Sequence, residues 1–238
     1  MMFSRLSELP KFLPVQAPES VDELDPRLRL YSDGRLDIWY SPMGEVTQNP
    51  KLWILGITPG WNQMKIAYSS AADMLNSGFS PDEANAAKKP QVAFAGSMRS
   101  NLVSMMDQIG FPETFGVDSS ADLFGSSQLR TGSVLKYPVF RDRRNYTGST
   151  PKPLSHPALL EMIDSVFMHE LASAPDCLIL PLGRSVERVL DYVASKTNLP
   201  ASRVLTGFPH PSGANGHRQK HFERARKDLR RMVLGWSC

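Results

Sequence analysis

The sequence predicts an α/β fold, with a parallel sheet covered by helices on both faces. Three observations predict it. The run Lys51-Leu-Trp-Ile-Leu-Gly56 is almost continuously apolar and ends at glycine, as a strand buried on both faces does. Several later segments carry apolar residues at helical spacing. Strand-like and helix-like segments then alternate along the chain, which is the order that builds parallel crossovers.

Taken in order, residues 1–30 are Pro-rich and irregular, and read as an arm laid on the surface. Leu36–Tyr40 and Leu52–Ile57 are strand-like, with turns at Gly34 and across Ser41–Pro50. Met64–Leu75 is weakly helical, and Asn76–Pro90 reads as a polar insertion. Met98, Leu102, Met105, Met106 and Ile109 make a helical stripe over Ser97–Ile109. Ser133–Val139 reads as a second buried strand. Ser155 is the expected N-cap of the next helix, with Pro157 in its first turn. A third strand over Asp176–Leu182, a helix over Gly183–Ala194 and a short fourth strand over Arg203–Thr206 follow. Phe222, Ala225, Leu229, Met232 and Val233 stripe a basic C-terminal helix.

The chain has 238 residues, which fits a single domain over 1–238, with an arm and hairpin over 1–50 and a core over 51–232. Hydrophobic residues make up 41% and charged residues 21%, so a packed core is expected rather than disorder. Two cysteines exclude a disulfide scaffold and a four-cysteine zinc or iron–sulfur site. No apolar run approaches the roughly 18 residues of a membrane span. Met1 to Gln16 lacks the apolar stretch of a secretory signal, so a cytoplasmic location is expected. Net charge is +3, but it is uneven: residues 1–130 hold 11 Lys+Arg against 15 Asp+Glu, and residues 131–238 hold 16 against 9. Such a split points to an anionic partner for the second half.

Ligands of open parallel sheets bind beyond the carboxyl ends of the strands, so the residues after each strand carry the functional argument. After the first comes Gly56-Ile57-Thr58-Pro59-Gly60-Trp61-Asn62. After the fourth comes Phe208-Pro209-His210-Pro211-Ser212-Gly213-Ala214-Asn215-Gly216. The first is not a nucleotide P-loop, since GxxxxGK[ST] is absent. His210, between two prolines, sits in a stiff loop that fixes the direction of its imidazole.

These two loops, in this order, resemble the uracil-DNA glycosylase superfamily. Gly56-Ile-Thr-Pro-Gly60 matches all but one position of that family's GxNPG motif, and His210-Pro211-Ser212 matches its HPS motif. Between them, Val92-Ala-Phe94-Ala-Gly96 is similar to the segment that supplies a base-stacking aromatic. Ser133-Val-Leu-Lys136 is similar to the strand whose first residue reads the base edge, and Leu180-Pro-Leu-Gly183 to the penultimate strand. The resemblance covers roughly residues 51–232. It implies a three-layer fold with a four-stranded parallel sheet flanked by helices. It also implies an enzyme hydrolysing the N-glycosidic bond of an extruded nucleotide, with DNA, single- or double-stranded, as partner. No cofactor, metal or membrane is involved on this reading, and the chain is expected to act as a monomer in repair or in defence against foreign DNA.

In that frame Gly56, Ile57, Pro59, Gly60, Phe94 and Ser133 would bind the base, His210 would stabilise its departing oxygen, and Thr58 with Asn62 would orient water. Ser212, Gly213, Ala214, Asn215, Arg218 and Lys220 would contact DNA, as would Arg141, Arg143 and Arg144. The family's water-orienting acid or amide is replaced here by Ile57 and Thr58, and its base-reading Asn by Ser133. Gly60 stands where strict uracil enzymes carry a bulky aromatic, so a 5-modified pyrimidine is the expected substrate. The rival expectation is a single-stranded nucleic-acid binder on the same fold that has lost hydrolysis.

Overall fold

The computed structural model describes residues 2–44, 46–87, 93–94, 96–213 and 215–236; Ala214 lies outside them. The chain divides into two compact units, each assembled from three separate stretches.

One unit comprises Thr47–Ile57, Ala93–Val134 and Glu170–Cys238. Its sheet is parallel and three-stranded, in the order β4 (Leu129–Ser133), β3 (Leu52–Gly56), β7 (Leu178–Pro181). The register runs from Leu52↔Leu129 to Gly56↔Ser133 on one side of β3, and from Leu52↔Leu178 to Leu55↔Pro181 on the other. All five residues of β3 are buried, which explains its unbroken apolar sequence. Leu52, Ile54, Leu129, Leu178 and Leu180 share a core with Leu102, Met105 and Met106 of α3 (Ser97–Gln108) and with Phe111 and Phe115 of α4 (Phe111–Phe115). Phe222, Leu229 and Val233 of α8 (Arg218–Leu234) complete it. The α7 helix (Arg184–Lys196) buries Val186, Val189, Leu190 and Val193 at i, i+3, i+4, i+7.

The other unit comprises Met1–Val46, Thr58–Val92 and Leu135–His169. Its sheet is antiparallel, in the order β1 (Arg29–Ser32), β2 (Leu36–Trp39), β5 (Val139–Arg141), β6 (Arg144–Asn145). Also in this unit are α1 (Trp61–Asn76) and α2 (Pro81–Ala86). The helix α5 (Pro157–Met162) continues through a π turn at Ile163–Phe167 into α6 (Met168–Ala172).

The α/β class and the parallel sheet agree with the sequence reading, and several elements correct it. The second parallel strand is Leu129–Ser133, not Ser133–Val139, so Ser133 ends a strand rather than beginning one. Its polar letters hid it: Arg130 is buried, its guanidinium 3.9 Å from the Trp53 ring and 3.5 Å from the Glu170 carboxylate. The expected fourth strand shrinks to one parallel bridge, Ile179↔Val204, because the 3-10 turn Ala201–Arg203 precedes it and Gly207 turns the chain directly after. The N-terminal arm is not irregular: it forms 3-10 turns over Met2–Phe12, Val21–Glu23 and Pro26–Leu28, then β1, and buries Leu9, Leu13, Leu24 and Leu28. The insertion over Asn76–Pro90 contains α2, started by a capping box in which Ser80 accepts from the Glu83 amide. The N-cap of α5 is His156, since Ser155 closes a preceding turn by donating to the Lys152 carbonyl. No helix among the described residues is long and apolar enough to cross a membrane.

Candidate functional site

The carboxyl ends of β3 and β4 bring Gly56 and Ser133 side by side as register partners. Phe94 closes over the same point: a Cβ placed on Gly56 would lie 3.6 Å from the Phe94 ring and 3.7 Å from Ser133 Oγ. Phe94 adopts φ 58°, a left-handed conformation that costs an aromatic residue of order 1 kcal/mol or more. Such strain persists where the surroundings over-determine it, and it fixes the ring over Gly56. Val92 and Ala95 of the same segment lie outside the described residues.

Gly183, following β7, takes φ 91°, and a Cβ there would stand 3.2 Å from His210 Cβ. Glycine is therefore required twice over, for its backbone conformation and for the close approach of the histidine loop. That loop is braced from several sides. Asn101 Nδ2 donates to the Pro211 carbonyl at 3.0 Å, and Arg218 Nη1 donates to the carbonyls of Pro211 (3.1 Å) and Ser212 (2.9 Å). Asn215 Nδ2 donates to the His210 carbonyl at 3.2 Å. The Ser212 amide donates to His210 Nδ1 at 3.2 Å, so a neutral ring carries its proton on Nε2. Burial holds the His210 imidazole below its ordinary 6.5, because the charged form loses hydration there. The outcome is a neutral imidazole with a fixed tautomer, its proton on Nε2, in a loop packed against Gly183 after β7.

Gly56, Ile57, Phe94, Ser133, His210, Ser212, Gly213, Asn215, Arg218 and Lys220 thus belong to the parallel-sheet unit. Thr58, Pro59, Gly60, Asn62, Arg141, Arg143 and Arg144 belong to the other. Within that second unit the Thr58 hydroxyl donates to the Tyr137 carbonyl at 3.0 Å and accepts from the Val139 amide at 3.1 Å. Its proton is committed to holding the loop against β5, which leaves little for orienting water. Asn62 is exposed in the first turn of α1. Gly60 does not open the space expected of it. A Cβ there would meet Gln63 Oε1 at 3.1 Å and Asn145 Nδ2 at 3.2 Å, and Asn145 Oδ1 accepts from the Trp61 amide at 2.9 Å. Asn145 is a residue that sequence reasoning missed; nothing local marks a two-residue strand as the cap of α1.

Two of the expected DNA-contacting side chains, Asn215 and Arg218, have their hydrogen bonds committed within the histidine loop. Arg141 donates to the Thr150 carbonyl at 2.9 Å, and Arg143 pairs with Asp22. Arg141, Arg144, Asn145 and Thr147 line a cavity of about 290 Å³. Among the described residues no group of three or more His, Cys, Asp or Glu is placed to hold a metal.

The fold and site define an α/β protein whose parallel sheet carries a braced histidine loop and an aromatic ring, Phe94, at its carboxyl edge. No family model matches the chain. The uncharacterized protein YoxB of Bacillus subtilis (strain 168) is 40% identical to it over 232 residues, spanning 95% of this chain and 90% of YoxB. The chain belongs to the YoxB family.

Proposed function

We propose that this chain is a DNA glycosylase of the uracil-DNA glycosylase type, removing a deaminated or otherwise modified pyrimidine from an extruded nucleotide. One observation carries the reading: within a single unit, an aromatic ring, a hydroxyl and a neutral imidazole donor stand at the carboxyl ends of three adjacent parallel strands. A base inside a duplex is unreachable, so it must be flipped or come from a single strand. Phe94 would stack on its face, and Ser133 would hydrogen-bond its edge. The C1′–N bond breaks with its electron pair moving onto the base, and His210 Nε2–H donates to the oxygen where that charge gathers. Water then bonds to C1′ and gives its proton to solvent, and the departed base takes one up. With the Thr58 hydroxyl spent on the backbone, the reading assigns no general base and places the catalytic effect on the leaving-group side.

The occupied space at Gly60 removes one of the two arguments for a 5-substituted base, leaving Ser133. The test is a set of oligonucleotides, each with one uracil, 5-hydroxymethyluracil, 5-formyluracil or other modified pyrimidine, incubated with protein and then with hot alkali. Strand cleavage at the modified base is expected, and His210→Ala should lower its rate by about 10²–10³-fold. Cleavage of none of them, with the oligonucleotides still bound, would favour the second reading. That reading, a non-catalytic single-stranded nucleic-acid binder, draws its support from the engaged Thr58 hydroxyl.

A further inference from the structure

The α8 helix presents two opposite faces. Phe222, Leu229 and Val233 are buried in the core, while Lys220, Arg224, Lys227 and Arg231 are exposed at i, i+4, i+7, i+11, one line along the solvent side. The helix has seven basic and two acidic residues. Those acids are taken up elsewhere or at the end of the line: Glu223 lies 3.4 Å from Arg226, and Asp228 lies 2.8 Å from Arg231. Arg230 is paired with Glu113, and Arg218 is spent on the histidine loop. Among the described residues, Lys220, Arg224 and Lys227 have no acidic or hydrogen-bonding partner.

The charge is also local. The stretches forming the parallel-sheet unit hold 14 Lys+Arg and 10 Asp+Glu, a net +4, whereas α8 alone contributes +5. The excess positive charge of the unit is therefore this helix. Helix stability does not explain the pattern: the first turn has no acid and has Lys220 instead, against the helix dipole.

We propose that the Lys220–Arg224–Lys227–Arg231 line of α8 is a nucleic-acid interface that lies along the phosphate backbone of one strand. This rests on the nucleic-acid substrate proposed above. From Lys220 to Arg231 the line is about 16 Å long at a rise of 1.5 Å per residue. One strand of a duplex presents a phosphate about every 3.4 Å along its axis, so the line faces about five phosphates with three cations that have no acidic partner, Lys220, Arg224 and Lys227, and with the Asp228-paired Arg231 at its end. Exposed cations without acidic partners exchange condensed counterions for phosphate contacts, a gain that carries no sequence information. The helix follows directly on the loop that ends at Gly216, so strand and base would be held by adjoining segments of chain.

The experiment measures binding of a fluorescein-labelled oligonucleotide, single-stranded and as duplex, by anisotropy over a range of KCl. The 238-residue chain is compared with K220A/R224A/K227A and with a charge-matched control, R5A/K11A/K51A. Each phosphate contact contributes about 0.7–0.9 to the slope of log affinity against log salt. The α8 variant should lose about 2–2.7 from the slope and at least about tenfold in affinity at 0.1 M KCl, with the control unchanged and urea midpoints equal. The single-strand and duplex arms show which form the line follows. An unchanged slope in the α8 variant, or binding of phosphatidylserine vesicles or polyglutamate in place of either oligonucleotide, overturns the proposal. Abasic sites formed by wild type and α8 variant with equal slopes would discard the interface and keep the glycosylase reading. Salt-dependent binding through α8 without abasic sites would do the reverse.

Discussion

The proton on His210 is placed by its neighbours. The Ser212 amide occupies Nδ1 and burial disfavours the cation, so the favoured form is the neutral ring with Nε2–H. Its folded-state pKa is depressed, so below 6.5 the unfolded chain binds the proton more readily, and stability falls as pH falls through that range. On the glycosylase reading proposed above, catalysis should follow the same ionisation. Single-turnover base release should be flat through neutral pH and decline only on the acid side of 6.5, and a break above 6.5 would contradict the neutral-donor role. At this scale the sequence was partly transparent. Two prolines beside one histidine announce a stiff loop, and the brace from Asn215 lies within reach of the same motif. Asn145 was opaque, because it caps α1 from 84 residues away and fills the space that Gly60 leaves.

Strands are legible when their burial is apolar on both sides, and β3 and β7 are of that kind. The strand β4 is not. Its one charged residue is buried because Trp53, its register partner, offers the guanidinium a ring face, while Ser173 and Glu170 meet its edge. Such a compensated cation is spelled like a turn, and pairing between two strands far apart in sequence is what rescues it. The same contact dictates Gly132: a Cβ there would stand 2.9 Å from Trp53 Nε1. Gly132→Ala should therefore cost about 1–3 kcal/mol by forcing the indole or the strand to shift. Urea denaturation at constant m-value measures this, and an unchanged midpoint would mean that Trp53 does not hold its place. Since Ser133 and Gly56 are neighbours across this pairing, the proposed glycosylase activity should also fall in this variant, with base release slowed and oligonucleotide affinity intact.

Neither compact unit is a continuous stretch of chain, and this governs how the molecule folds. The parallel sheet draws β3 from Thr47–Ile57, β4 from Ala93–Val134 and β7 from Glu170–Cys238. β4 and β7 both pair with the central strand β3, which comes from the part of the chain that precedes 93. A fragment covering 93–238 keeps the histidine loop, Phe94, Ser133 and α8, yet has β4 and β7 with nothing between them. Their unpaired backbone groups and the exposed side chains of Leu129, Leu178 and Leu180 would face water, a state prone to edge-to-edge association. The fragment should therefore show no cooperative urea transition and collapsed amide dispersion in NMR, and co-expression with 1–92 should restore both signals. A 93–238 fragment that folds cooperatively alone would show that β3 is dispensable to the sheet. The site at the strand ends depends on that sheet, because Gly56, the residue over which Phe94 and Ser133 converge, is the last residue of the missing strand.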